Sequence, residues 1–192
     1  MDAFDELPTS ASWVHEGARA GFEVVFIRKL ARGWRFSGHT AAVEGDRPWT
    51  VRYEIGVDRR WRTRTAKVWT WSDVGESTVS LRHDGVGRWK IDGAEEPPLD
   101  GCLDVDLEAS ALTNTLPVHR LGPDVRECEA VAAYVRTDGR VERLEQTYCR
   151  ARGADDGSTF DYHAPRFGFS ARLEYDRHGL VLRYPGIARR AR

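Results

Sequence analysis

Side chains that alternate between apolar and polar are the dominant regularity of this chain, and they leave it little conformational choice. In PWTVRYEIGV, residues 48–57, Trp49, Val51, Tyr53, Ile55 and Val57 share one face, and Thr50, Arg52 and Glu54 share the other. Successive strand side chains point to opposite faces, so this pattern buries one side and wets the other; a helix would scatter the same residues around its axis. RFGFSARLEYD repeats it with Phe167, Phe169, Ala171, Leu173 and Tyr175. GFEVVFIRKL sets Phe22, Val24, Phe26 and Leu30 on one face, and its other face is also partly apolar. Further strand segments are WRFSGHTAAV, WRTRTAKVWTW, ESTVSLRH, GRWKID, CLDVDL, ECEAVAAYVRT, RVERLEQTYC and LVLRY.

Turn chemistry separates these runs. Asp84-Gly85, Asp92-Gly93, Asp138-Gly139 and His178-Gly179 stand at hairpin spacing, so most neighbouring strands pair antiparallel. Asp155, Asp156, Gly157 and Ser158 read as a polar loop. The one helix signal runs from Thr113 to Leu121, with Thr113 or Thr115 as cap, Pro117 in the first turn and Gly122 as stop. The terminal IARRAR reads as a frayed basic tail. No repeat of solenoid or propeller length and no dividing linker is visible, so residues 1–192 are expected to form a single domain. The expected fold is mainly β: one many-stranded, curved antiparallel sheet. Such a sheet must join its edges, and closure into a barrel or roll does so; closed sheets hold an apolar ligand when their lumen is not packed solid.

The 29 basic residues nearly cancel the 30 acidic ones, so no global field advertises a nucleic-acid partner, and none is expected. Cys102, Cys128 and Cys149 match neither a zinc nor a CxxC spacing and are expected to be reduced and mostly buried. The acidic start, MDAFDELPTSAS, has no apolar core of a signal, and no run approaches a membrane span, so a cytoplasmic location is expected. No metal, no cofactor and no catalytic nucleophile is expected: GxSxG, phosphate-loop and dinucleotide patterns are missing, and the histidines stand singly.

GCLDVDLEASALTNTLPVHRL, residues 101–121, is the least ordinary stretch. In a strand, Cys102, Asp104 and Asp106 share one face. Charged residues mostly stay exposed, so the pattern alone favours a solvent face. Buried, the two carboxylates would need a cation or a raised pKa, as a polar anchor or an acid/base pair. Thr113, Asn114 and Thr115 can cap a helix or hydrogen-bond sugar hydroxyls, and Arg120 can pair with Asp104 or Asp106. In WRTRTAKVWTW, Arg60, Arg62 and Arg64 lie on one face and Trp61, Trp69 and Trp71 on the other. Core tryptophans with a charged solvent face are the plainer reading; stacking on nucleic acid, sugar rings or anionic headgroups is the alternative.

Residues 101–121 resemble the signature of a bacterial family known as putative glycolipid-binding proteins. The likeness extends in order through Gly33-Trp34, Asp58 with Trp61-Arg62-Thr63-Arg64, Gly87-Arg88-Trp89, Ala133-Tyr134-Val135, Gln146 and Tyr148, Phe169 to Asp176, Gly179-Leu180-Val181 and Tyr184-Pro185. Ser110-Ala111 stands where Ser-Pro is expected, and His119 where a second arginine is usual. The resemblance implies a spiral β-roll wrapped around a short helix, a likeness to periplasmic lipoprotein carriers, and a homodimer. With it, the reading is a non-enzymatic carrier of a glycolipid or other amphiphile. Trp49, Val51, Tyr53, Phe167 and Phe169 would hold acyl chains. Asp104, Asp106, Thr113, Asn114, Leu116, Arg120, Gln146, Tyr148, Trp61, Arg62 and Arg64 would be the ligand-binding set. An enzyme using Asp104 and Asp106 as its acid/base pair and a dimerising interaction module are the alternatives.

Overall fold

The computed structural model describes residues 4–122, 128–151 and 159–191. Six long strands come first: β1 (Ser10–His15), β2 (Arg19–Leu30), β3 (Gly33–Glu44), β4 (Arg47–Asp58), β5 (Thr63–Ser72) and β6 (Gly75–His83). Short strands follow: β7 (Trp89–Ile91), β8 (Ala94–Glu95) and β9 (Asp104–Leu107). After a 3-10 turn at Leu112–Asn114 and helix α1 (Thr115–Leu121) come β10 (Cys128–Glu129), β11 (Ala132–Val135), β12 (Val141–Leu144), β13 (Thr147–Arg150), β14 (Thr159–Ala164), β15 (Phe169–Tyr175), β16 (Val181–Tyr184) and β17 (Ala188–Arg190). Fourteen strands form one sheet in the order β10-β13-β14-β15-β16-β17-β1-β2-β3-β4-β5-β6-β7-β8. β12-β11-β9 form a second, small sheet in which β9 and β11 run parallel.

The alternating pattern sets this architecture. Trp49, Val51, Tyr53, Ile55 and Val57 are all buried on the concave face of β4, and Arg52 is exposed on the other. All four dipeptide turns join antiparallel partners: β6–β7, β7–β8, β11–β12 and β15–β16. At the β7–β8 turn both Asp92 (φ 49°) and Gly93 (φ 91°) take left-handed backbone, the geometry that matches strand twist in a two-residue hairpin. Asp84 holds its own turn by accepting N–H bonds from Val86, Gly87 and Arg88 at 2.8–3.0 Å.

Several expectations are corrected. β1 and β14 were not among the expected strands. ECEAVAAYVRT and RVERLEQTYC each divide into two strands, one in each sheet, because Ala130-Val131 and Glu145-Gln146 carry the chain from one sheet to the other. The IARRAR end is no frayed tail: β17 pairs with β1 and bridges the two halves of the sheet, and Arg190 lies over Trp13 at 4.9 Å. On β2 it is Val25 and Ile27 that face inward, while Phe22, Phe26 and Leu30 are exposed. Phe167 falls in a 3-10 turn at Pro165–Phe167 and is also exposed. Thr113 and Thr115 do not cap α1; Asn114 occupies the cap position without a side-chain bond. The loop expected at Asp155, Asp156, Gly157 and Ser158 lies outside the described residues, as does the Cys128 side chain.

The sheet is not hollow along its first half. Its concave face closes on the segment from Cys102 to Leu116, where Ala111, Leu112 and Leu116 are fully buried. Hydrogen bonds fasten that segment to the sheet: Thr63 N to Leu103 O (2.9 Å), Val105 N to Thr63 Oγ1 (3.0 Å) and Thr40 Oγ1 to Ala109 O (2.9 Å). A second cluster, with Tyr148, Phe160, Tyr162, Leu173, Tyr175 and Tyr184, lines the other half.

Candidate functional site

β9 is inserted into the middle of the molecule, so both of its faces are buried, and the solvent face expected for its aspartates does not exist. Asp104 is 1% exposed and Asp106 8%. A buried carboxylate needs partners, and each has found its own. Arg120, in the last turn of α1, grips Asp104 with Nε at 3.0–3.1 Å and Nη2 at 2.6 Å. Burial pushes the Asp104 carboxyl upward, and the guanidinium pulls it back. The turn after β9 brings Thr113 over Asp106, where its hydroxyl donates to Oδ1 at 2.7 Å and accepts from Leu107 N at 3.2 Å. Gln146 Nε2 donates to Asp106 Oδ2 at 2.5 Å. Burial, reinforced by the Asp104 charge, pushes Asp106 up, and the bonds from Thr113 and Gln146 oppose the shift. Tyr148 hydroxyl donates to Asn114 Oδ1 at 2.8 Å, and Tyr175 hydroxyl to the Asn114 carbonyl at 3.2 Å.

Glu23 is the third buried acid. Oε1 accepts from Tyr53 (2.6 Å) and Ser110 (2.5 Å), and Oε2 from Ala111 N (2.8 Å). A Cβ at Gly38 would overlap the Tyr53 ring, so glycine there lets the phenol lie flat and reach Glu23. Burial raises the Glu23 pKa against these bonds.

This polar floor opens into a cavity of about 440 Å³ between the small sheet and the β14–β16 half of the large one. Asp106, Ser110 and Asn114 stand at its base. Tyr162, Phe169, Tyr184, Tyr134 and Phe167 form aromatic walls, with Leu107, Leu144 and Ile187 between them. Tyr162 meets Tyr184 and Phe169 at ring separations of 5.8 and 6.2 Å, and Tyr134 meets Phe167 at 5.5 Å. Burial holds the Tyr134, Tyr162 and Tyr184 hydroxyls well above their usual pKa, so they stay protonated. Arg19, Glu108 and Arg136 complete the lining. Arg19 donates to the Glu108 carbonyl at 2.6 Å, and Glu108 accepts from Thr137 N at 2.8 Å.

The expected site residues separate into three groups. Asp106 and Asn114 line the cavity; Thr113, Gln146 and Tyr148 hold them in place. Asp104 and Arg120 form a structural ion pair, and Leu116 is core. Trp61, Arg62 and Arg64 are not brought to this cavity. Trp61 sits in a turn at φ 62° and stacks on His119 at 3.8 Å. Arg62 and Arg64 donate to the Gly85 and Asp84 carbonyls at 2.6 Å and approach Asp58 at 3.8 Å. Trp69 and Trp71, expected in the core, lie on the outer face, because β5 turns Ala66, Val68 and Thr70 inward; Arg52 lies 4.7 Å above Trp69. Trp49, Val51 and Tyr53 belong to the packed core and do not line this cavity, whereas Phe167 and Phe169 do. Sequence reasoning missed Glu23, Ser110, Arg19, Tyr134, Tyr162 and Tyr184 as neighbours of the site. Glu23 was visible as a carboxylate on the same face as Val25 and Ile27. Tyr162 was hidden with its unrecognised strand.

Among the described residues no group of His, Cys, Asp and Glu is placed to hold a metal, and no helix is long and apolar enough to cross a membrane.

The order of the strands around a buried signature segment finds its match in known proteins. Residues 10–190 match the profile of the family described as "Putative glycolipid-binding". The chain belongs to this family. A crystal structure of a DUF1089-family protein from Pseudomonas aeruginosa is similar over 100% of this chain and 97% of that one, at 27% identity and a TM-score of 0.74. A β-barrel-like protein of the DUF1849 family from Brucella abortus covers 98% of this chain and 96% of its own, at 12% identity and a TM-score of 0.58, a likeness of fold alone. Among curated proteins none matches.

Proposed function

We propose that this family member binds the polar head of a glycolipid, or of a similar amphiphile, in the cavity at Asp106 and Asn114, and that it does so without catalysis. The observation that carries this reading is the cavity's composition: hydrogen-bonding groups at the base, broad aromatic walls above them. Sugars present hydroxyls at their edges and apolar C–H faces, and the base and walls complement those surfaces in turn. The volume, about 440 Å³, falls in the range of about 300–1,000 Å³ of small-molecule sites. At about 30 Å³ per water it has room for roughly fifteen waters, enough for a head group but not for a long lipid as well. The acyl part of the ligand would therefore leave through the mouth. Of the five residues expected to hold acyl chains, Trp49, Val51 and Tyr53 lie away from this cavity, and Phe167 and Phe169 line it.

A binding role is favoured over acid/base catalysis because the two aspartates do not share the cavity. Asp104 has both oxygens engaged by Arg120, and Asp106 has both engaged by Thr113 and Gln146. The purified protein should yield a glycolipid on organic extraction and mass spectrometry, or should quench the fluorescence of a dansylated glycolipid when stripped. Protein that is empty and leaves the probe unchanged overturns the reading. Binding that survives replacement of Asn114 and Phe169 would move the site elsewhere.

A further inference from the structure

The outer face of the sheet carries an uncompensated charge. β2 and β3 place Arg28 directly opposite Arg35, and like charges in opposed positions repel. Neither guanidinium has an ion pair or hydrogen bond among the described residues. Glu54, the acid in the same groove, is taken by Arg52 at 2.9 Å. The two arginines border a groove of about 350 Å³, together with Phe26, Thr9 and Ser37. Phe26 is 65% exposed, and Leu30 on the same face is 40% exposed. Just beyond them, the ends of the β2–β3 and β4–β5 hairpins lie side by side, joined by Arg59 donating to the Ala31 carbonyl at 2.7 Å. There Arg32 and Arg60 add two more side chains without acid partners among the described residues. A chain with a net charge of −1 has concentrated cations at one end.

An anion alone would satisfy the arginines but leave Phe26 and Leu30 in water. A second copy packed about a twofold axis would set this patch against itself, bringing four unpaired arginines together. A bilayer with anionic head groups meets both needs: charge at its surface and apolar depth beneath. We propose that this face docks reversibly on anionic lipid membranes, with Arg28 and Arg35 receiving a head-group phosphate and Phe26 and Leu30 entering the interface. The proposal does not depend on what the cavity binds.

The test is co-sedimentation of the full chain with sucrose-loaded vesicles free of glycolipid, made of phosphatidylcholine alone or with one part in four phosphatidylglycerol. Binding is expected to the anionic vesicles only, and to weaken as salt is raised. Each basic charge removed should weaken it on the order of fivefold, so that Arg28→Gln with Arg35→Gln loses about twenty-five-fold. Phe26→Ser should weaken it on the order of tenfold, and the binding that remains should still weaken as salt is raised. All these side chains are exposed, and unchanged thermal melting confirms folded variants. Failure to sediment with anionic vesicles overturns the proposal, as does equal binding to phosphatidylcholine or indifference to all three substitutions. Inorganic phosphate shifting the arginine resonances with no vesicle binding overturns it in favour of a small-anion site. A dimer by light scattering that Phe26→Ser dissociates overturns it in favour of self-association.

Discussion

β2, β3 and β4 are twelve residues each and deliver Val25, Phe36, Val51, Tyr53 and Ile55 onto the buried signature segment. β13 to β16 are four to seven residues long and deliver Tyr148, Phe160, Tyr162 and Tyr184. Side chains of the first kind interdigitate with Leu112 and Leu116 and leave no room. Of the second kind, Tyr148 and Phe160 are themselves packed, whereas Tyr162 and Tyr184, rigid and with hydroxyls that need polar partners, stand around a space instead of filling it. One curved sheet thus has a half that holds the fold and a half that keeps a cavity. The difference is written in the inward-facing residues alone.

The sharpest way to break that division is at the Asp104–Arg120 pair, which belongs to the packed side. Arg120→Ala leaves a buried charge unpaired and should cost about 3–5 kcal/mol, a loss of many degrees in Tm by calorimetry. Phe36→Ala, at a residue with no exposure, should cost a similar 3–5 kcal/mol. In both cases protein that still folds at low temperature should bind ligand as before. If either change altered affinity with little loss of stability, the two halves would not be separate in role.

A smaller effect comes from His119, which stacks between Trp61 and Phe4 and donates from Nε2 to the His178 carbonyl (2.9 Å). Burial lowers its pKa to about 4. The folded state therefore binds fewer protons than the unfolded one below the ordinary histidine pKa of about 6.5, and stability drains as pH falls from there towards 4. Between pH 7 and pH 4.5 this residue should account for about 2–3 kcal/mol of lost stability, at 1.36 kcal/mol per unit. His119→Phe keeps the stack and should flatten that part of the denaturation profile. The buried acids act oppositely. Asp106 with a raised pKa stabilises the fold most below the ordinary carboxyl value and less as pH rises, so Asp106→Asn should gain on the wild type as pH rises above that value. Urea melts at a series of pH values would measure the gain.

Both halves were legible in the sequence to different depths. The alternation at 48–57 fixed which side of β4 is buried, and the four turn dipeptides fixed which neighbours pair, because both are local properties. The resemblance at 101–121 pointed to the right segment. Alternation could not say that β9 is buried on both faces, since that follows from the packing of its small sheet against the large one and not from its own residues. Nor could it place Trp61, whose left-handed backbone removes it from the strand that its neighbours begin. β14 went unread although FDYHA alternates, because its run is short and follows the polar stretch at 155–158. The cavity itself depends on distances between strands far apart in the chain.

The gentlest substitution tests the hollow half most directly. Phe167 is 46% exposed, touches Tyr134 at a ring separation of 5.5 Å and lines the cavity. Its truncation removes little buried area and creates no closed void, so Phe167→Ala should change stability by less than about 1 kcal/mol. Yet it removes one aromatic wall from the place where an acyl chain would leave the cavity. The Tm by calorimetry should barely move, while retention of a dansylated glycolipid should fall several-fold. The same substitution at Phe36 should do the reverse. A variant at Phe167 that melts early and binds normally would mean that the aromatic wall is packing after all, and that the second half of the sheet differs from the first only in how completely it is filled.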